Sequence, residues 1–76
     1  MSKYIFIFSN YIYWTEWGSN PGVRRASIDG TNKEDVASEL ELVRPNGLDV
    51  DGLSVFIGES HNGAAIYRCL LAGNII

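Results

Sequence analysis

A chain of 76 residues with 46% hydrophobic, 20% charged and 12% aromatic side chains has room for one small domain. At that size about 60% of the extended surface is buried, so the chain's own core supports only marginal stability. The composition excludes wholesale disorder. A net charge of −3, with no like-charge run beyond Arg24-Arg25 or Glu34-Asp35, excludes the basic stripe that nucleic-acid phosphates require.

The single Cys69 rules out a disulfide-stapled miniprotein and reads as a buried, inert thiol. The opening MSKYIFIF has an apolar run, residues 4–8, shorter than the roughly 7–15 residues of a signal core, and no small-residue cleavage site follows it. No segment approaches the roughly 18 apolar residues of a membrane span. Neither a signal peptide nor a transmembrane segment is expected in this chain, and none of its six asparagines opens an Asn-x-Ser/Thr sequon.

In chain order, residues 4–8 are β-branched and aromatic and read as a strand, Ser9-Asn10 as a turn, and residues 11–15 as a second strand. The stretch GSNPG, residues 18–22, is a loop built of breaker residues, and residues 23–28 are a third strand. Asp29-Gly30 suits the positive φ angles of a type I′ hairpin turn, which leads into a fourth, edge strand at residues 34–37. Pro45-Asn46-Gly47 breaks the chain ahead of strands at 48–51 and 54–58. His61-Asn62-Gly63 loops into a strand at 65–71, Gly73-Asn74 turns, and Ile75-Ile76 begins another strand.

A repeat lies under this order. Tyr13 falls on Phe56, 43 positions on, and the same offset brings Glu16 onto Glu59, Val23 onto Ile66, Arg25 onto Arg68 and Gly30 onto Gly73. A period of about 40–45 residues with four strands per unit is that of a β-propeller blade.

Three linked motifs then resemble a known family. Tyr13-Trp14-Thr15-Glu16 is similar to the Tyr-Trp-Thr-Asp motif of low-density-lipoprotein-receptor class B repeats. Residues 23–30, with Arg25, Asp29 and Gly30, resemble its I-x-R-x-x-L-D-G. Residues 44–51, with Pro45, Gly47, Leu48 and Asp51, resemble its P-x-G-L-A-x-D. Glu16 replaces the usual aspartate, and the second repeat carries Phe56-Ile57-Gly58-Glu59 and Ala72 at the corresponding places.

The resemblance covers Asn10 to about Gly73. It implies an all-β fold of antiparallel four-stranded blades, here an open, incomplete propeller. Residues 1–9 would be an atypical first strand, 10–44 a first repeat, and 45–76 a degenerate, truncated second one. It further implies a six-bladed parent propeller in the ectodomain of a cell-surface receptor or a basement-membrane protein, usually flanked by EGF-like modules. Such propellers bind protein ligands, and in a lipoprotein-receptor-related parent take part in endocytosis or signalling.

The residues themselves give the aromatic cluster a packing role. Strand alternation puts Tyr11, Tyr13 and Thr15 on one face and Ile12, Trp14 and Glu16 on the other, and a blade between two neighbours needs bulk on both. Trp17, past the strand end, reads either as packing or as a ligand contact. Asp49 and Asp51 share a strand face and read as hydrogen-bonding groups at a blade rim, since the remaining ligands of an EF-hand loop are missing. Glu59-Ser60-His61 has the residue types of a triad, but sequence neighbours rarely make one, and His61 reads as a solvated loop residue. Arg24-Arg25-Ala26-Ser27 has kinase-site spacing inside a strand, where it is accidental.

No nucleophile–base pair, metal cluster or phosphate loop stands out, so the leading expectation is a non-enzymatic module without cofactors. Its partners are neighbouring blades, protein ligands of the parent and, for the isolated fragment, further copies of itself. The alternatives are a fragment of a calcium-dependent lactonase-like propeller, which Pro45-Asn46-Gly47-Leu48 also resembles, and a gene fragment without function.

Overall fold

The computed structural model describes residues 2–61 and 65–71. Seven strands form: β1 (Ser2–Phe8), β2 (Tyr11–Glu16), β3 (Gly22–Ser27), β4 (Glu34–Val36), β5 (Pro45–Val50), β6 (Ser54–Glu59) and β7 (Ala65–Leu70). All pairings are antiparallel, in two sheets ordered β1-β2-β3-β4 and β5-β6-β7. The all-β expectation is met, and no helix forms among the described residues. The expected turn at Gly73-Asn74, the strand start at Ile75-Ile76, and Asn62, Gly63 and Ala72 lie outside the described residues.

The 43-residue offset holds in space. Strands β2 and β6, and β3 and β7, begin and end 43 positions apart. Tyr13 faces Arg25 in one sheet as Phe56 faces Arg68 in the other, and Ser2 lies opposite Glu16 as Pro45 lies opposite Glu59. Strand β1 thus takes the place in its sheet that β5 takes in the second.

Each hairpin follows from local chemistry. Ser9 and Asn10 both adopt positive φ, 51° and 66°, with Phe8 opposite Tyr11. That is the two-residue loop whose twist matches its strands. The turn after β3 differs from the expected type I′. Of the pair Asp29-Gly30 only Gly30 has positive φ, because Gly30 N–H donates to the Ser27 carbonyl while the Asp29 carboxylate takes the Thr31 N–H and hydroxyl at 3.0 and 2.7 Å. A short acidic side chain that bonds its own backbone competes with the tighter turn.

The expected break at Pro45-Asn46-Gly47 is instead part of β5. One extra residue sits between the pairs Pro45–Glu59 and Leu48–Ile57, a β-bulge. Proline is tolerated there as the first residue of a strand at the sheet's end. Asp51 has left the strand and caps the β5–β6 hairpin, accepting Leu53 N–H at 3.0 Å and Ser54 N–H at 2.8 Å. Ala37, expected at the end of β4, follows it in the left-handed region, and Leu71 is a turn residue after β7.

The sheets pack face to face. The front face of the first carries Tyr13 and Val23, with Phe6, Phe8 and Tyr11 beside them. It meets Leu48, Val50, Val55, Ile57 and Cys69 of the second, and Val36, Ala37 and Leu42 close the core. Cross-strand pairs set this in register, Phe6 with Tyr13, Val23 with Val36, and Val55 with Cys69.

Candidate functional site

Part of the motif set, Thr15 with Pro45 and Gly47, meets at the junction between the two sheets, joined there by Trp17. A bulge disrupts the ladder and frees backbone groups for other partners, and the carbonyls at the start of β5 are used in that way. Thr15 Oγ1 donates to the Asn46 carbonyl at 3.4 Å, and Trp17 Nε1 donates to the Pro45 carbonyl at 2.6 Å. The Arg44 guanidinium lies 5.9 Å from the Trp17 ring.

The same stretch is held from the other side. Buried Glu59 accepts Val43 N–H at 2.8 Å and Arg44 N–H at 2.9 Å, and Ser60 N–H and Oγ both donate to the Arg44 carbonyl at 3.2 Å. A carboxylate can be buried when charge-assisted hydrogen bonds replace water. Residues 43–46 are thus held from two sides, by Thr15 and Trp17 at the end of β2 and by Glu59 and Ser60 at the end of β6.

Arg25 organises the front face of the first sheet. Its Nε pairs with Glu34 and its Nη1 donates to Tyr13 Oη at 3.2 Å, with the guanidinium 4.5 Å from the Tyr11 ring. Burial alone would lower the pKa of Arg25, and the hydrogen bonds it donates to Tyr13 and Glu34 outweigh it, so the guanidinium stays charged.

On the back face, buried Arg24 pairs with Asp35 at 2.9 Å and donates to the Asn20 carbonyl at 2.8 Å. Trp14 Nε1 donates to Glu16 at 2.8 Å. That bond is the chief reason the Glu16 carboxyl lies below its ordinary range; burial opposes it, and Arg24 and Lys33 assist.

The structure therefore groups Tyr13 and Arg25 on the packed face and brings Thr15 and Trp17 to Pro45 and the bulge at Gly47, with Leu48 in the core behind them. Trp14 and Glu16 point away, on the opposite face. Asp29, Gly30 and Asp51 serve hairpins remote from the junction. Trp17, read as packing or ligand contact, spends its indole N–H on the junction. Cys69 is buried, with its thiol pushed up by burial and by Glu39.

Sequence reasoning missed the clamp by Glu59. The signal was present in its alignment with Glu16, but the connector it grips was assigned to no element. Among the described residues no group of three or more His, Cys, Asp or Glu is placed to hold a metal.

Residues 10–51, more than half the chain, match the low-density lipoprotein receptor repeat class B family. The chain belongs to this family. The class B match takes in Tyr13 through Asp51 and stops before β6, where Phe56 and Gly58 stand at the places of the motif tyrosine and threonine, so the second repeat keeps the strands without the signature side chains.

Among curated proteins, the vitellogenin receptor Yl of Drosophila melanogaster is 38% identical over 40 residues, 53% of this chain. The chain spans 2% of that relative's length. No solved structure matches it. The chain is an all-β fragment of a class B repeat propeller, similar to part of a receptor. No helix among its described residues is long and apolar enough to cross a membrane.

Proposed function

We propose that this chain is a non-enzymatic piece of an extracellular ligand-binding propeller in a lipoprotein-receptor-like membrane protein. Its repeats run over 10–44 and 45–76, and β1 replaces the usual inner strand. Its role is to hold one blade against the next, and the parent propeller captures a protein ligand for uptake or signalling. The observation that carries this reading is the junction itself: Thr15 and Trp17 of a class B repeat donate to the first two carbonyls of the following inner strand. The name of the similar vitellogenin receptor supports vitellogenin, or a protein like it, as the ligand of the parent.

Surface-plasmon titration of purified vitellogenin over the longest product carrying this segment tests it. Saturable binding that is lost when residues 10–51 are deleted is expected. Unchanged binding after the deletion overturns the reading. The lactonase-like alternative is checked by calorimetric calcium titration of the chain: micromolar binding abolished by Asn46→Ala would replace the receptor reading with an enzymatic one.

A further inference from the structure

The 43-residue equivalence turns the interface inside the chain into a template for its two open faces. The second sheet buries Leu48 (6% exposed), Val50 (4%), Val55 and Ile57 against the first. Shifted back by 43, these become Ile5, Ile7, Ile12 and Trp14, the back face of the first sheet, where Ile5 and Ile7 are 63% and 61% exposed. Shifted forward, the packed Tyr13 and Val23 become Phe56 and Ile66 on the front face of the second sheet, and Ile66 is 81% exposed. Among the described residues the chain therefore presents both halves of its own interface as exposed faces, one on each sheet.

The two open faces also differ from the internal interface in a compensating sense. On the back face Ile7 and Ile12 stand where the internal interface has valines, and Trp14 stands where it has Ile57, so this face protrudes more. On the front face Gly47 stands in the place of Tyr4, Asp49 of Phe6 and Gly58 of Thr15, so this face is scooped out. The result is a shallow, open depression lined by Gly47, Gly58 and Ile66, adjoining another lined by Asp49, Phe56 and Tyr4 of β1. A Cβ added at Gly47 would touch nothing within 4 Å. Charge does not oppose the match: Lys33, 5.9 Å from the Trp14 ring, and Glu16 belong to the back face, and Asp49 and Arg68, the latter 5.6 Å from the Phe56 ring, to the front.

We propose that the front face docks the back face of a second copy of this chain, head to tail, with Ile5, Ile7 and Trp14 of one copy entering the glycine-floored hollow beside Ile66 of the next. This rests on the blade reading above. The contact is heterologous, so it closes into a ring or runs on as a filament.

Sedimentation velocity over a wide concentration range, on the chain and on Ile66→Glu and Ile7→Glu, decides it. The unmodified chain is expected to associate. Each variant places a charge on an exposed residue, leaves the internal core untouched, and should weaken association roughly tenfold or more, since an unpaired charge would be desolvated on docking. Mixed together, the two variants should form a one-to-one heterodimer that grows no further, because each retains the one face the other needs.

Association unaffected by either variant, or a mixture that does not pair, overturns the head-to-tail contact. A monomer at every concentration also overturns it. In that case nuclear Overhauser contacts between Trp17 and Pro45 separate the causes: if present, the blade reading stands without self-docking, and if absent, the blade reading itself has failed.

Discussion

At the residue scale the stretch 43–46, the end of the connector and the start of β5, should be sensitive to substitution of its partners, because side chains satisfy several of its backbone groups. Glu59→Gln puts an amide N–H where a carboxylate oxygen accepted the Val43 or Arg44 N–H. It should cost about 1.5–3 kcal/mol, the range for bonds to a charged acceptor. Trp17→Phe keeps the ring under Arg44 but removes the donor to Pro45, and about 1 kcal/mol is expected. Chemical denaturation followed by far-ultraviolet circular dichroism measures both. A Glu59→Gln midpoint equal to that of the unmodified chain would remove the clamp from the account.

At the element scale, two glycines of the second sheet, Gly47 in the β5 bulge and Gly52 in the β5–β6 hairpin, should behave oppositely. Gly47 lies in a bulge without positive φ and with open space around it, so Gly47→Ala should be neutral or stabilising by about 0.4–1 kcal/mol, through the unfolded chain. Gly52 has φ 95°, and an added Cβ would stand 3.4 Å from the Phe8 ring; Gly52→Ala should cost about 1 kcal/mol or more. Thermal melts of the two variants check the contrast.

The hairpins also carry a pH dependence. The Asp51 carboxyl is lowered first by the Ser54 and Leu53 N–H groups and then by Arg68, and the Asp29 carboxyl by the Thr31 hydroxyl and N–H. A carboxyl whose folded pKa is depressed contributes stability above its unfolded pKa and loses it as pH falls through the folded one. The melting temperature should therefore be level from neutral pH down to about 5 and fall below about 4, and the fall should be shallower in Asp51→Ala.

At the scale of the whole molecule, the half-buried Trp14 separates the chain from a complete propeller. With its face open, Trp14→Ala should cost the 76-residue chain well under the about 3–5 kcal/mol of a fully buried tryptophan. The full cost should appear only where another blade covers that face. Denaturation of the two proteins side by side measures the difference, and equal costs would mean that the face is already closed. Cys69, fully buried at the heart of the inter-sheet core, gives a second readout. A thiol reagent should label it only as fast as the sheets open.

Much of this was legible in the sequence. The β-branched and aromatic runs determined the strands, since alternation and propensity act within a few residues. The 43-residue spacing determined that the chain is built twice over, because equivalent strands must meet equivalent partners. The turn at Ser9-Asn10 followed from the two-residue gap between strands. What the sequence left open depends on residues about thirty positions apart meeting in space. Alternation sorts Tyr13 from Trp14 but does not say which of the two faces finds a neighbour, and the second sheet covers only the first of them. A bulge is defined by one residue in excess of its partner strand, so Asn46-Gly47 read as a break until β6 lay beside it. The burial of Glu59 was not legible either: the two N–H groups that justify it belong to a connector whose path only the packing of the sheets decides.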